Sequence, residues 1–413
     1  MSRHPRDHRV AASLALAALA TAACVAGGAA REQPSARRQA SARAELALRA
    51  GRILDPVAGR YDESVVILVR GGRISGVIPA REYRADLADS VVDLSQLTVL
   101  PGLIDSHVHL VLGGAVVSNA VADLRAGFTT VVDLGARTHR LLQLGDSINA
   151  GHLPGPRVLA AGIWVGVKGG VCEFNGIGIA GGAEEFRTRI RSNAVAGAEI
   201  AKLCLSGWPG QAFAEPASSE LPDDVIRASV AEARAHGLVT VAHAISLGSV
   251  RAALDAGVDG LAHAAYVDSV TSLRMRDQRM FMVSTLATLT RGDSSIAARS
   301  LVSALSLAAR NGVSIVFGTD GGVLPHGRNA EELRALVDAG LTPLEAIRAA
   351  TVNAARAFRI QDSIGTLEPG KVADLVAVAG DPLADIGTLA RPLLVVSRGR
   401  IVRDDRTGSP GQQ

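Results

Sequence analysis

The amino-acid sequence predicts an α/β protein in which a (β/α)8 barrel is joined to a small β-sandwich built from both ends of the chain. The middle of the chain alternates strand-like runs with amphipathic helical segments. Both ends carry short alternating strands that are broken by turns. The 413 residues suit one large core with a satellite domain rather than a single small domain.

The first 30 residues have the layout of an export signal. Arg3, Arg6 and Arg9 precede an uncharged stretch, residues 10–30, that is too weakly apolar to predict a membrane span. The letters "TAAC" at 21–24 resemble a bacterial lipoprotein box, so Cys24 is a candidate for a lipid anchor, with ordinary signal cleavage as the alternative. Residues 31–44 are predicted to be a disordered tether. We therefore expect an exported protein, either periplasmic or lipid-anchored at the cell envelope.

Residues 45–100 and 360–405 are predicted to be the two parts of one β-sandwich. Both contain short runs of alternating character, such as "SVVILVRGGRISGVI" from residue 64, with glycines where strands turn. Neither part has enough strands to bury a sheet face alone, so we expect the two ends to pair. Residues 406–413 are predicted to be a disordered tail.

Residues 101–359 are predicted to form the barrel. Helical segments such as "PDDVIRASVAEARAHG" carry apolar residues at three-and-four spacing and end at a glycine. The last helix begins with a capping box at Thr342 and Glu345. Eight strand-then-helix units is the number that closes a TIM barrel. The predicted strands are 103–107, 129–134, 157–164, 200–205, 239–243, 260–263, 280–285 and 314–319.

Composition and charge exclude some classes of function. Hydrophobic residues make up 48% and charged residues 20%, which is typical of a globular protein. The formal charge is +3, but the first 43 residues hold seven arginines against two acidic residues, so the rest of the chain carries a small negative charge. This balance gives no reason to expect nucleic-acid binding.

Six unusual polar residues lie in or just after the predicted strands. Because the carboxyl ends of parallel barrel strands share one face, where barrel active sites lie, we expect these side chains to converge. Imidazole and carboxylate ligands at an open site suit Zn²⁺ best, with Mn²⁺, Fe²⁺ and Co²⁺ as alternatives. The six residues are His107, His109, Lys202, His243, His263 and Asp320.

Lys202 is the exception among these residues, because a cationic ammonium would repel metal ions. Burial favours the neutral amine, which can take up CO₂ to form a carbamate and so gain a bridging carboxylate. The alternative is a lysine that extends to the rim of the barrel and takes no part in the site.

Several segments together resemble the amidohydrolase superfamily, and most closely its imidazolonepropionase-like and Xaa-Pro dipeptidase-like (prolidase) branch. They are "PGLIDSHVHL", "EIAKLCLSG", "VTVAHA", "LAHA", "FGTDGGVLPHGRNAEEL", "LTPLEAIRAATVNAARAF" and "GTLEPGKVADLVAV", and the resemblance runs from about residue 45 to residue 403.

The resemblance implies a centre of two divalent metal ions, with zinc as the expected metal. His107, His109 and Asp320 would hold the first ion and His243 and His263 the second, while Lys202, carrying a CO₂-derived carbamate, would bridge them. Asp320 would act as the catalytic base for a metal-bridging hydroxide. We expect hydrolysis of a C–N bond in a small molecule, such as a dipeptide with a C-terminal carboxylate. A lactonase, a cyclic-imide hydrolase and a non-catalytic exported binding protein are the alternatives.

Three residues near the predicted site are candidates for binding the substrate. Tyr266 follows His263, and His326 and Arg328 follow the eighth strand. Arg328 suits a carboxylate through two parallel hydrogen bonds, although it could instead neutralise Glu331 or Glu332.

The residues beside His263, the two cysteines outside the export signal and the barrel surface lead to three further expectations. Ala262 and Ala264 flank His263, where the family often has a polar partner, which leaves the substrate open. Cys172 and Cys204 are expected to be buried free thiols, with a disulfide as the alternative in an exported protein. The apolar surface of the barrel predicts a homo-oligomer.

Overall fold

The computed structural model describes residues 43–290 and 296–406. The predicted export signal with Cys24 lies outside the described residues, as do nearly all of the predicted tether and tail. Ala44, in the predicted tether, is the first residue of a strand, and Arg406, in the predicted tail, is hydrogen-bonded to Asp404. Within the described part of the chain, no helix combines the length and hydropathy needed to cross a bilayer.

Four strands come first: β1 (Ala44–Asp55), β2 (Arg60–Arg70), β3 (Arg73–Pro79) and β4 (Ala88–Pro101). β1 pairs antiparallel with β2 and parallel with β4, and β2 pairs antiparallel with β3. Gly71 and Gly72 connect β2 to β3 with positive φ at both positions, which is the conformation of a tight hairpin turn. This turn fixes the register of the two strands.

Eight parallel strands follow, one at each position that the sequence predicts. The first three form one sheet and the other five form a second sheet. They are β5 (Leu103–Val108), β6 (Phe128–Asp133), β7 (Arg157–Ala160), β8 (Ile200–Cys204), β9 (Val239–Ala244), β10 (Gly260–His263), β11 (Phe281–Val283) and β12 (Ser314–Val316). The predicted α/β class with parallel strands is therefore confirmed.

Three strands end two or more residues earlier than predicted. β7 ends at Ala160 rather than at residue 164, β11 ends two residues early and β12 ends three residues early. Gly162 and Thr285 adopt positive φ, which takes the chain out of the extended conformation. The residues lost from these strands lie in the loops that carry the polar side chains.

The two parallel sheets are hydrogen-bonded to each other at both edges. Between β5 and the end of β12, the Ser106 amide donates to the Phe317 carbonyl over 2.9 Å. Between β7 and β8, the Glu199 amide donates to the Ala160 carbonyl over 3.0 Å. Further along that edge, the Cys204 amide donates to the Val165 carbonyl over 2.9 Å.

Helices follow most of the parallel strands. The predicted capping box is confirmed, because the Glu345 amide donates to the Thr342 hydroxyl and the Thr342 amide donates to the Glu345 carboxylate. The helices are α1 (Val116–Arg125), α2 (Arg140–Asn149), α3 (Ala183–Val195), α4 (Pro209–Ala214), α5 (Asp223–Ala235), α6 (Leu247–Ala256), α7 (Ser269–Asp277), α8 (Leu286–Thr290), α9 (Ile296–Arg310), α10 (Ala330–Asp338), α11 (Pro343–Arg348) and α12 (Ala354–Ala357).

The last strands return to the first sheet. They are β13 (Leu375–Val378), β14 (Leu394–Ser397) and β15 (Arg400–Asp404). β13 pairs antiparallel with β4, which gives a seven-stranded sheet in the order β15-β14-β13-β4-β1-β2-β3. Strands from the two chain ends therefore lie in one sheet. This is expected because neither end has enough strands to bury a sheet face alone.

Candidate metal centre

The structure brings the six predicted ligand residues together at the carboxyl ends of the parallel strands. Four strands, together with the loops after β5 and β12, supply these side chains, which lie between 1% and 8% exposed. The residues are His107 in β5 and His109 just after it, Lys202 in β8, His243 in β9, His263 at the end of β10 and Asp320 after β12.

Asp320 lies at the centre of the cluster. Its Oδ1 is 3.4 Å from Nε2 of His107 and 3.3 Å from Nε2 of His109. One ligand atom each from His107, His263 and Asp320 lie within 4.8 Å of one another. The ring centroid of His263 is 5.1 Å from that of His107 and 4.6 Å from that of His243. The imidazoles and the carboxylate thus surround one small space.

Two buried atoms in this cluster have no hydrogen-bond partner among the described residues: Nζ of Lys202 and Nδ1 of His107. A buried polar group without a partner is costly, so it indicates a missing ligand. Burial lowers the pKa of Lys202 to about 7, and burial and the Lys202 charge lower that of His243 to about 4. The free amine and neutral imidazole are the forms that a metal site uses, so the donor set fits divalent cations.

Hydrogen bonds from the loops orient three of the histidines. Nδ1 of His109 is 3.2 Å from the Gly135 carbonyl, and Nε2 of His243 is 3.4 Å from the Gly207 carbonyl. Nδ1 of His263 is 2.8 Å from the Thr285 hydroxyl. Each contact leaves the other ring nitrogen free for a ligand role.

Residues 98–402 match the Amidohydrolase family. This chain belongs to the amidohydrolase family. The resemblance inferred from the sequence motifs is therefore confirmed, and the protein is a hydrolase with a candidate site for the divalent metals that this family uses.

This amidohydrolase is similar to several known proteins. Ochratoxinase of Aspergillus niger is 26% identical over 356 residues, which cover 72% of this chain and 73% of the relative. A solved Xaa-Pro dipeptidase with bound methionine is 27% identical with a TM-score of 0.80, covering 86% of this chain and 99% of that one. A solved prolidase complexed with N-methylphosphonate-L-proline is 28% identical with a TM-score of 0.77, covering 87% and 99%.

Two residues that support the amidohydrolase site are not among the sequence candidates. Thr285 supplies the polar partner of His263 that its alanine neighbours lack. Asp105 accepts hydrogen bonds from the His107 amide and from the amide and hydroxyl of Thr319, next to Asp320. The signal for Asp105 is its place in "GLIDSHVH", where it is an acidic residue in an otherwise apolar strand. A threonine at a strand end gives no comparable signal.

The predicted substrate-binding residues have other partners in the structure. Tyr266 packs against Phe213, with ring centroids 4.9 Å apart. Nδ1 of His326 is 2.8 Å from the Asp123 carboxylate, and its side chain is buried. Arg328 pairs with Glu331, which is the structural alternative stated for it. The substrate roles of Tyr266, His326 and Arg328 stay predictions.

The expectation of free thiols at Cys172 and Cys204 is wrong, because the two residues form a disulfide with Cα atoms 6.1 Å apart. The loop after β7 contacts β8, since the Val165 amide donates to the Lys202 carbonyl and the disulfide joins Cys172 to the last residue of β8. Glu220 also holds this loop by accepting a hydrogen bond from the Val171 amide.

Both tryptophans of the chain contact histidines that are predicted metal ligands. Trp164 is buried, and its ring centroid is 5.4 Å from that of His109. Trp208 is 53% exposed, and its centroid is 6.2 Å from that of His243. Phe174 covers Trp164 with a centroid distance of 4.7 Å. Loop aromatics of this kind follow no periodic pattern, so sequence reasoning missed them.

Proposed function

We propose that this amidohydrolase cleaves a C–N bond in a small molecule with a centre of two divalent ions, zinc being the expected metal. The observation that carries the proposal is the Asp320 carboxylate held 3.3–3.4 Å from the imidazoles of His107 and His109, beside the Lys202 amine, which has no hydrogen-bond partner among the described residues. His107, His109 and Asp320 would hold one ion and His243 and His263 the other. Lys202 would bridge them as a carbamate.

The chain's own residues prepare this chemistry. When bound, the ions would polarise a substrate carbonyl and activate a water molecule. Although burial opposes it, the contacts with His107 and His109 hold the pKa of Asp320 well below its usual range, so the carboxylate is ionised. As the general base it would accept a proton from the attacking water. Asp320 would then deliver that proton to the departing nitrogen. The buried surroundings exclude competing water and strengthen these interactions.

The substrate proposed is an amide of peptide type, such as a dipeptide with a free C-terminal carboxylate. Relatives named Xaa-Pro dipeptidase, prolidase and ochratoxinase support this class. A cavity of about 520 Å³ is lined by Arg137, by Arg140 and by Val111, which follows His109 by two residues in the chain. Their guanidinium groups match a carboxylate in charge and geometry.

We also propose that strands β5 to β12 close into one TIM barrel. The hydrogen bonds between the two parallel sheets at both edges support closure. A single buried apolar cluster also contains a residue from every one of these strands. These residues are Ile104, Val132, Leu159, Ile200, Val241, Ala262, Val283 and Val316.

We propose that the seven-stranded sheet curves so that its two ends pack face to face as the predicted sandwich. One apolar cluster supports this by joining distant strands of that sheet, including Leu48, Val65, Val99, Leu375 and Val396.

Export to an oxidising compartment is proposed as well, and the Cys172–Cys204 disulfide supports it because disulfides persist there. A homo-oligomer stays a prediction.

The test is to strip the protein with a chelator, reload it with Zn²⁺, count the bound metal and assay dipeptides, N-acyl amino acids, cyclic imides and lactones. We expect two ions per chain and turnover of amides. Turnover of lactones or cyclic imides alone would replace the proposed substrate class, and two bound ions without any turnover would overturn the function. Asp320→Asn, which removes the proposed base, should lower kcat by about a hundredfold or more.

A further inference from the structure

We propose that Trp208 is a substrate-binding residue that selects amides carrying a flat apolar group beside the scissile bond. The inference rests on the proposed amide hydrolysis and names the part of the substrate that this chain recognises. It starts from the chain's two tryptophans, both of which contact histidines of the metal centre, at His109 and at His243.

The local backbone holds Trp208 beside the reaction centre. Gly207 directly precedes it, and the Gly207 carbonyl lies 3.4 Å from Nε2 of His243. Trp208 is also the N-terminal capping residue of α4, and its carbonyl accepts a hydrogen bond from the Ala212 amide over 2.9 Å. The same short segment therefore orients a ligand histidine and places the indole edge-on against that histidine, at an interplanar angle of 79°.

The exposure of Trp208 distinguishes it from the other aromatic residues. Among residues 43–290 and 296–406, it is the only aromatic side chain in the set of large exposed apolar residues. Trp164, on the other side of the centre, is buried under Phe174 and offers no open face of that kind. An exposed indole beside buried polar ligands is typical of a binding cleft, where apolar walls bind the substrate and a few polar groups orient it.

The neighbouring residues define the chemistry of the partner group. Phe213, in the same helix as Trp208, packs on Tyr266, which follows His263. On the opposite side, the guanidinium of Arg137 lies 6.0 Å from the Phe174 ring. The exposed indole therefore lies on the His243 side, whereas on the His109 side the aromatic residues Trp164 and Phe174 are accompanied by a cation. A substrate that spans the centre would place a flat apolar group on Trp208 and its carboxylate toward Arg137.

The test compares Trp208→Ala and Trp208→Phe with the wild type on matched amides, for example N-(2-naphthoyl)glycine with N-acetylglycine and Phe-Pro with Ala-Pro. We expect Trp208→Ala to lower kcat/KM for the aromatic member of at least one pair by about tenfold or more, with little change for the small member. Trp208→Phe should keep most of the preference. Metal content should be unchanged, and Ile401→Ala, an exposed apolar residue in β15, is the matched control.

A second readout separates this inference from the proposed function. Titration with 2-naphthoate should quench the fluorescence of the exposed tryptophan in the wild type and not in Trp208→Phe, whether or not any amide is hydrolysed. Amide turnover with equal kcat/KM for both members of each pair, unaffected by Trp208→Ala, would overturn the role of Trp208 and leave the proposed function standing. Quenching that persists in Trp208→Phe would also overturn it.

Discussion

Lys202→Met tests the bridging role of the buried amine. With its pKa at about 7, the Lys202 amine is neutral in about three molecules of four at pH 7.5, whereas an ordinary lysine is neutral in about one of a thousand. Burial therefore enriches the form that reacts with CO₂ by several hundredfold. Methionine has a similar length and no charge, and it removes an amine that has no hydrogen-bond partner in the part of the chain that the structure describes. The fold should therefore be retained.

We expect the Lys202→Met protein to bind at most one metal ion per chain and to lose about a hundredfold or more in kcat. Metal analysis and kinetics measure both, and melting by circular dichroism checks the fold. Wild-type protein equilibrated with ¹³CO₂ should show a carbamate carbon resonance that weakens below about pH 7, where the amine is protonated. Lys371→Met, which removes a partly buried amine that pairs with Glu368, is the control. Two bound ions and wild-type kcat in Lys202→Met would refute the reasoning.

Three further changes test how the site is held. Thr285→Val removes the partner of His263 Nδ1 and should weaken metal binding by about tenfold in chelator competition; unchanged affinity would contradict this. Cys172→Ser opens a disulfide that spans 32 residues and should lower the free energy of unfolding by about 3–4 kcal/mol in urea, with metal content unchanged. Burial raises the pKa of Glu332 to about 8, so its contribution to stability is present below about pH 4.5 and is lost as pH rises through 8. Glu332→Gln should reduce the fall in the free energy of unfolding between pH 5 and 8, measured by urea unfolding. An unchanged fall in this variant would show that another group causes the pH dependence.

The convergence of the six polar residues could be predicted because their strands are otherwise apolar. A histidine or lysine in a run of valine, alanine and leucine is conspicuous, and parallel strands all end on the same side of a sheet. The chain-end strands could also be paired, because neither end has enough strands to bury a sheet face. Both predictions depend on the periodicity of the apolar residues and on the spacing of the polar residues, which can be read directly from the sequence.

The loops could not be predicted in the same way. The pairing of Cys172 with Cys204 depends on how the loop after β7 folds back, and no pattern in "GVKGGVCEFNGIGIAGG" specifies that path. The place of Trp208 beside His243 depends on the irregular segment between β8 and α4, in which the Gly207 carbonyl lies 3.4 Å from Nε2 of His243. Such contacts arise between segments that are distant in sequence or irregular in conformation.

Four fully buried carboxylates explain how these irregular loops can still hold a site in fixed geometry. Asp105 accepts hydrogen bonds from the loop after β12, and Asp133 accepts one from the Leu110 amide after β5. Asp123 binds the His326 ring and the Gly327 amide, and Glu332 accepts from the Leu286 and Ala287 amides after β11.

Each of these carboxylates lies on one strand or helix and ties down a loop that follows another strand. Buried carboxylates are costly unless their oxygens are hydrogen-bonded, so each loop is held in the one conformation that satisfies its acceptor. Asp320 and Thr285 are non-glycine residues with φ of 58° and 60° in two of these loops. Such backbone strain persists only where surrounding contacts enforce it. These buried carboxyl groups therefore help to keep Oδ1 of Asp320 within 3.4 Å of the Nε2 atoms of His107 and His109.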